Sequence, residues 1–197
     1  MIYEGKISGK TVRLRCIEER DAEITYAMRA DPEKSKYIHA AQGTVEDQRD
    51  YIRRIREKPG DFLFVIEDYD GNVIGMKGLY LYNPLERWIV SGQFVGCGSQ
   101  IQNMEALYLS FDFAFRELRV DKIFMSVLEN NTGMYEIQQK FGAEVFRKRY
   151  SEEFKCDSID SILTEKAYQQ VRPQIKALIE RFAQRKQGGK KNAGEIQ

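Results

Sequence analysis

In TVRLRC, residues 11–16, the apolar positions Val12, Leu14 and Cys16 alternate with Arg13 and Arg15. A period of two marks a half-buried strand, and this one opens the fold. Over ERDAEITYAMRADPEKSKYI the interval lengthens: Ile24, Ala27 and Met28 recur at helical spacing. The helix is predicted to stop at Asp31, because the following Pro32 drives its neighbour out of the helical region. Thr44 is placed to cap a second helix, VEDQRDYIRRIREK, with Val45, Tyr51, Ile52 and Ile55 on one face, Arg53, Arg54 and Arg56 off it, and Pro59-Gly60 as its stop. FLFVIED, the turn DYDGN and VIGMKGLYLY predict a hairpin whose Asp-Gly pair supplies the positive backbone angles of a tight turn. RWIVSGQFVG is a further strand, after a bend at Asn83-Pro84.

Residues 104–118, MEALYLSFDFAFREL, are apolar on nearly every side and predict a helix packed deeply on the sheet. KIFMSVL then reads as a strand apolar on both faces, of the kind covered on both sides. ENNTGMYEIQQKFGAEV, residues 129–145, compresses a turn at Asn131, a short helix, a stop at Gly142 and a new strand into one unit. VFRKRY follows, DSIDSIL is the last strand, and VRPQIKALIERFAQRK is an amphipathic helix with Pro173 near its first turn. This order implies right-handed crossovers and some parallel pairing, hence a mixed α/β sheet with its ligand at the carboxyl ends of the central strands. One domain is expected over residues 1–168, a C-terminal helix over 169–186 and a disordered tail over 187–197.

Composition narrows the function classes. At 197 residues and 42% hydrophobic, the chain suits one well-cored domain. Its 31 Lys plus Arg balance 30 Asp plus Glu, so no overall field draws it to nucleic acid or membrane, and a small-molecule partner is expected. Cys16, Cys97 and Cys156 have neither zinc nor redox spacing and read as reduced thiols of a cytoplasmic protein. No stretch approaches the roughly 20 apolar residues of a membrane span. No metal is expected.

Several separated features together resemble the GNAT superfamily of acetyl-coenzyme A-dependent N-acetyltransferases, over residues 9 to about 168. LRCIEERDAE with MRADPEKSKYI is similar to the opening of the branch containing the ribosomal-protein alanine and spermidine acetyltransferases. EALYLSFDFAFRELRVDKIFMSV resembles that family's cofactor helix and following strand, and Asn131 with Lys140-Phe141-Gly142 resembles its asparagine-to-glycine ending. KYIHAAQGTVEDQRDYIRRI and the ENN turn also look like members that acetylate nucleotide-linked amino sugars. The resemblance implies a mostly antiparallel central sheet with a splayed parallel pair, acetyl-CoA as cosubstrate, and direct attack of an amine on the thioester.

It also implies site residues. Phe94 and Val95, with Gly96 beyond them, match the strand whose backbone pairs with pantetheine and aims N–H groups at the developing oxyanion. The loop GSQIQN stands where the family cradles the pyrophosphate at a helix N-terminus. Ile101 replaces the usual glycine there, leaving Gly98, Ser99, Gln102 and Asn103 as the candidates, against the alternative of a plain surface connection. Asn131 matches the pantetheine-binding asparagine and is equally suited to cap the next helix.

Gln138, also on the cofactor side, stands where many members carry the tyrosine that protonates the leaving thiolate; glutamine cannot. Tyr135, one turn earlier, could take that role, or be a structural tyrosine. A coenzyme A thiol should resemble a cysteine, with a pKa of about 8.5, so its thiolate can leave without a dedicated acid at modest loss of rate. Where relatives have a carboxylate base, this chain offers Val90, Ser91 and Gly92, with Glu86 too far back. An alkyl amine of pKa about 10.4 would need a base, whereas an amino group on an electron-withdrawing sugar ring needs less help. His39, the single histidine, is the other candidate for the proton, or a surface residue. Arg53, Arg54 and Arg56 could meet a nucleotide diphosphate or form a solvated face. An amino-sugar acceptor is favoured, against a protein N-terminal acetyltransferase and a non-catalytic GNAT-like module; a homodimer is compatible with either a free sheet edge or the C-terminal helix.

Overall fold

The computed structural model describes residues 3–192, with side chains through 184. Strands β1 (Lys6–Ser8) and β2 (Val12–Cys16) lead, through a short turn of helix at Glu19–Asp21, into α1 (Ala22–Ala30), α2 (Pro32–Ser35) and α3 (Val45–Glu57). Three strands follow, β3 (Phe62–Asp68), β4 (Val73–Asn83) and β5 (Trp88–Gly96), then α4 (Gln100–Asp112), which widens into a π-helical turn at Phe113–Glu117. β6 (Lys122–Leu128), α5 (Thr132–Lys140), β7 (Glu144–Ser151), β8 (Cys156–Thr164) and α6 (Glu165–Asn192) complete the described residues. All eight strands form one sheet in the order β1-β2-β3-β4-β5-β6-β8-β7. Every pairing is antiparallel except β5 with β6.

Two cores flank the sheet. On one face α4 and α6 bury Leu107, Phe111, Tyr168, Ile175 and Ile179 against Leu14, Phe64, Leu79 and Ile123. On the other, α1 and α3 bury Met28, Ile52 and Ile55 against Leu63, Val65, Met76 and Val95. A buried carboxylate fixes α4 beneath the first strands: Glu105 accepts from the amides of Lys10 (2.5 Å), Thr11 (2.6 Å) and Val12 (3.2 Å). Asp112, near the other end of α4, holds α6 through a two-point bond to Arg172 and one to the Tyr168 hydroxyl, each at 2.7 Å.

Local signals decide most boundaries. Asp31 ends α1 and caps α2, and Thr44 makes a reciprocal cap with Asp47 at the start of α3. Gly142, at φ +89°, turns the chain out of α5. Some expectations shift. The buried face of α1 is Ala22, Thr25 and Met28, while Ile24 and Ala27 are exposed, because α3 covers the helix from a different angle. β6 is buried on one face only, with Phe124 half-buried and Ser126 exposed on the other. α4 begins at Gln100, capped by Ser99, earlier than its apolar run. α6 begins at Glu165, so Pro173 lies inside the helix rather than in its first turn, and the helix extends to Asn192. Of the tail expected to be disordered, residues 193–197 lie outside the described residues.

Candidate functional site

The parallel pair β5–β6 stays in register from Trp88–Lys122 to Ser91–Met125 and pairs no further. Beyond it β5 turns toward β4 through a bulge: Met76 faces Val95 and Gly78 faces Gly92, so Lys77 alone faces both Gln93 and Phe94. Gln93 takes φ +43° to make that bulge, a left-handed conformation costly for a residue with a side chain, and its carbonyl side-chain oxygen accepts from Tyr80 Oη at 2.7 Å. The strands therefore fork, and a cleft of about 690 Å³ opens in the fork.

The cleft reaches both faces of the sheet. Toward α4 and α5 its walls are Leu107, Phe111, Asn131, Met134 and Gln138. Toward the opposite face they are Tyr37, Ile38 and His39 after α2, together with Phe124, Ser126 and the β7–β8 hairpin. Thus Phe94, Asn131, Gln138 and His39, four of the expected residues, share one cavity. Tyr135 is half-buried on α5 but does not line it. Nor do Val95, Gly96, Gly98, Ser99, Gln102 and Asn103, which lie at the end of β5 and the start of α4.

At that helix start the loop is internally tied. Ser99 Oγ accepts from the Gln102 amide, while Gln102 Oε1 accepts from the Ser99 amide at 2.9 Å. Asn103 Nδ2 donates to the carbonyls of Gly98 (3.2 Å) and Gly96 (3.4 Å). The Ile101 side chain packs on the core, and the Gln100 and Ile101 amides keep the open valence of a first helical turn. An anion can be met there by backbone and helix dipole.

Asn131 serves as helix cap, its Oδ1 accepting from the Met134 amide at 3.3 Å, which leaves its NH₂ for the cleft. Gln138 is 6% exposed, and its Oε1 is buried without a hydrogen-bond partner. An orphan acceptor of this kind costs about 1–3 kcal/mol unless a ligand donates to it. His39 is exposed on the rim, its Nδ1 2.6 Å from Glu153 Oε1 and its ring 5.5 Å from that of Phe154.

Beyond Lys34, which lies on α2 and pairs with Asp31, three cationic residues outside the sequence-based candidates line the cleft. Arg147 and Arg149, side by side on β7, line the cleft and both donate to the buried Asp160, at 2.8 and 3.1 Å from their Nε atoms. Two guanidinium groups on one carboxylate leave a net positive charge facing the cavity. Arg53, by contrast, is committed to Glu19 and Asp50, Arg56 bonds the Ile17 carbonyl, and none of Arg53, Arg54 and Arg56 lines the cleft.

The third is Lys77. It is 1% exposed, and its Nζ donates to the Gly78 carbonyl (2.8 Å), Ser91 Oγ (2.8 Å) and the Gly92 carbonyl (3.0 Å). No carboxylate pairs with it, and burial lowers its pKa to about 7. The alternation of VIGMKGLYLY, which puts Lys77 on the inward side with Leu79, was the available signal.

The chain belongs to the GNAT acetyltransferase family: the family model of the acetyltransferase (GNAT) domain matches residues 11–144. Solved structures share the fold. Apo FdhC, a nucleotide-linked sugar GNAT, is 20% identical, with 87% of this chain and 97% of that chain covered and a TM-score of 0.76. A GCN5-related N-acetyltransferase from Brucella melitensis is 13% identical, covering 90% of this chain and 86% of that one at a TM-score of 0.77. Spermidine N-acetyltransferase from Vibrio cholerae, solved with CoA and spermine, is 16% identical, covering 81% and 99% at a TM-score of 0.73. No curated protein matches the chain. Among the described residues there is no cluster able to hold a metal ion, and no helix is long and apolar enough to cross a membrane.

Proposed function

We propose that this protein transfers acetyl from acetyl-CoA to the primary amine of a small acceptor, with a nucleotide-linked amino sugar as the favoured class. The observation that carries the reading is the fork between β5 and β6: a cavity open to both faces lets two substrates meet at one point in the sheet. Its α5 side suits the pantetheine arm. That arm is an extended chain with two amides, and it meets the open NH₂ of Asn131 and the orphan oxygen of Gln138, which needs a donor. The start of α4, with the Gln100 and Ile101 amides, would take the pyrophosphate. Phe94, unpaired on its β6 side beyond the bulge, would direct backbone groups at the acyl carbonyl.

The opposite face favours an acidic acceptor. Arg147 and Arg149, both anchored on Asp160, bring guanidinium groups, whose chemistry suits phosphate oxygens, to the cleft, and Lys34, paired with Asp31, lies on the other wall. A polyamine would meet like charge there. Thiol release from acetyl-CoA, followed with nucleotide-linked amino sugars, free amino sugars, polyamines and N-terminal peptides, tests the reading. The nucleotide-linked amino sugars should give the highest kcat/KM; thiol release with none of the four classes would refute acetyl transfer, and preference for spermidine or peptides would refute the acceptor assignment.

A further inference from the structure

The acetyl-transfer reading leaves one chemical need open at the fork itself: something must take the proton of the attacking amine, no carboxylate stands on β5, and His39 stands out on the rim with its Nδ1 turned to Glu153. We propose that Lys77 and Ser91 form an internal proton relay at the apex of the fork, Ser91 receiving the amine proton and Lys77 storing it. This rests on the reading of the cleft as an acetyl-transfer site.

Geometry carries the proposal. Ser91 is the last residue of β5 paired with β6, so its hydroxyl stands where the cavity begins, and Lys77 Nζ lies 2.8 Å behind it. Both protonation states of Lys77 are fully hydrogen-bonded in this arrangement. As an ammonium its three N–H groups meet the Gly78 carbonyl, the Gly92 carbonyl and Ser91 Oγ. As a neutral amine it keeps two N–H groups for the carbonyls and accepts the Ser91 O–H on its lone pair. Only the Ser91 hydroxyl turns over between the two states, so a proton can pass without moving the backbone.

A merely structural lysine would be expected to have a carboxylate partner or to reach solvent, and Lys77 has neither. Its environment favours easy loss of the proton: burial alone drives its pKa down. The charged and titratable groups on the cleft walls are Lys34, Tyr37 and His39 after α1, Arg147, Arg149 and Glu153 around β7, and Asp160 on β8. Asp160 Oδ2 is taken by its two arginines, and Glu153 stands on the exposed rim with its Oε1 2.6 Å from His39 Nδ1. Those of α4 are turned elsewhere, Glu105 to the β2 amides and Asp112 to α6, and the β3 partner opposite Lys77 is Phe64.

The step balances. The amine nitrogen bonds the acyl carbon and the carbon–sulfur bond breaks. One nitrogen proton passes to Ser91 Oγ while the Ser91 proton passes to Nζ, and the stored proton returns by the same route to the departing thiolate. One pair thus supplies both the base and the acid that the carboxylate-free β5 and Gln138 leave unfilled.

Two measurements test this, one free of turnover. In protein labelled at lysine Cε and Nζ, NMR titration should find Lys77 ionising near pH 7. Ionisation near 10, as in an ordinary lysine, overturns the relay even in an active enzyme. In turnover, kcat should rise with pH through the same value. Lys77→Met should abolish that limb and lower kcat about 100-fold or more, the scale of a lost proton-transfer group. Ser91→Ala should lower kcat about 10-fold, and Ser91→Thr, which keeps the hydroxyl, should restore most of it. A Lys77→Met enzyme that melts lower yet keeps the limb and the rate shows a structural lysine only. Absence of wild-type turnover refutes the acetyl-transfer reading instead, and the titration still decides the state of Lys77.

Discussion

Gln138 shows how one amide separates a ligand's needs from the fold's. Its buried, unpartnered oxygen weakens the free protein and should strengthen the complex. Gln138→Leu is therefore expected to raise unfolding stability by about 1 kcal/mol while weakening acetyl-CoA binding about 10-fold, read by urea unfolding and calorimetry. Loss of both would show a purely structural amide. Asn131→Ala should weaken binding and stability together, because its oxygen caps α5. Tyr135 lies outside the cavity lining, so Tyr135→Phe should leave kcat within about twofold, far from the 100-fold loss of a proton-transfer group. Asn131 and Gln138 could be found from sequence because the resemblance to the GNAT asparagine-to-glycine ending places them, in a segment held locally by a cap and a glycine stop. Lys77 could not be weighed in the same way. Its significance depends on a bulge in the neighbouring strand and on α4 lying over it, which no local pattern in MKG records.

Elements were legible wherever period and punctuation agreed. The β3–β4 hairpin follows from its Asp-Gly turn, where Asp68 Oδ1 accepts from the Asp70 and Asn72 amides. The start of α6 is hidden in the sequence because its first residues, EKAYQQ, are mostly polar, and the role of Tyr168 among them is visible only in its stacking 5.0 Å from Phe115 beneath α4. Burial works against the Asp112 carboxylate, but its bonds from Arg172 and Tyr168 outweigh that and hold its pKa below the ordinary range. A lowered folded pKa stabilises above the unfolded value of about 3.9, and that stabilisation disappears as pH falls through the folded one. Asp112→Asn should therefore cost about 2 kcal/mol near neutrality and much less at pH 2, measured by urea unfolding at both values. An equal cost at both would assign the effect to packing. Arg147 and Arg149 were missed for a similar reason. Nothing in VFRKRY itself marks the two arginines until β7 is paired with β8 at the sheet edge, which sets both beside Asp160.

For the whole molecule, strand order matters more than any single side chain. Helix α4 carries the chain from β5 to β6 as a parallel crossover, and the β5 bulge then parts the two strands, so the cavity penetrates the sheet. The mixed sheet and its parallel pair were legible from the alternation of strands and helices; where the pair would part was not. A cavity open on two faces predicts that both substrates are bound before reaction. Initial rates should give intersecting double-reciprocal lines, and parallel lines would indicate an acetylated-enzyme intermediate instead. The central claim is that the fork is built to hold acetyl-CoA, and calorimetric titration of the purified protein tests it most directly. One molecule bound per chain, with affinity reduced about 10-fold in Gln138→Leu, is the expected result; no heat of binding at millimolar acetyl-CoA would contradict it.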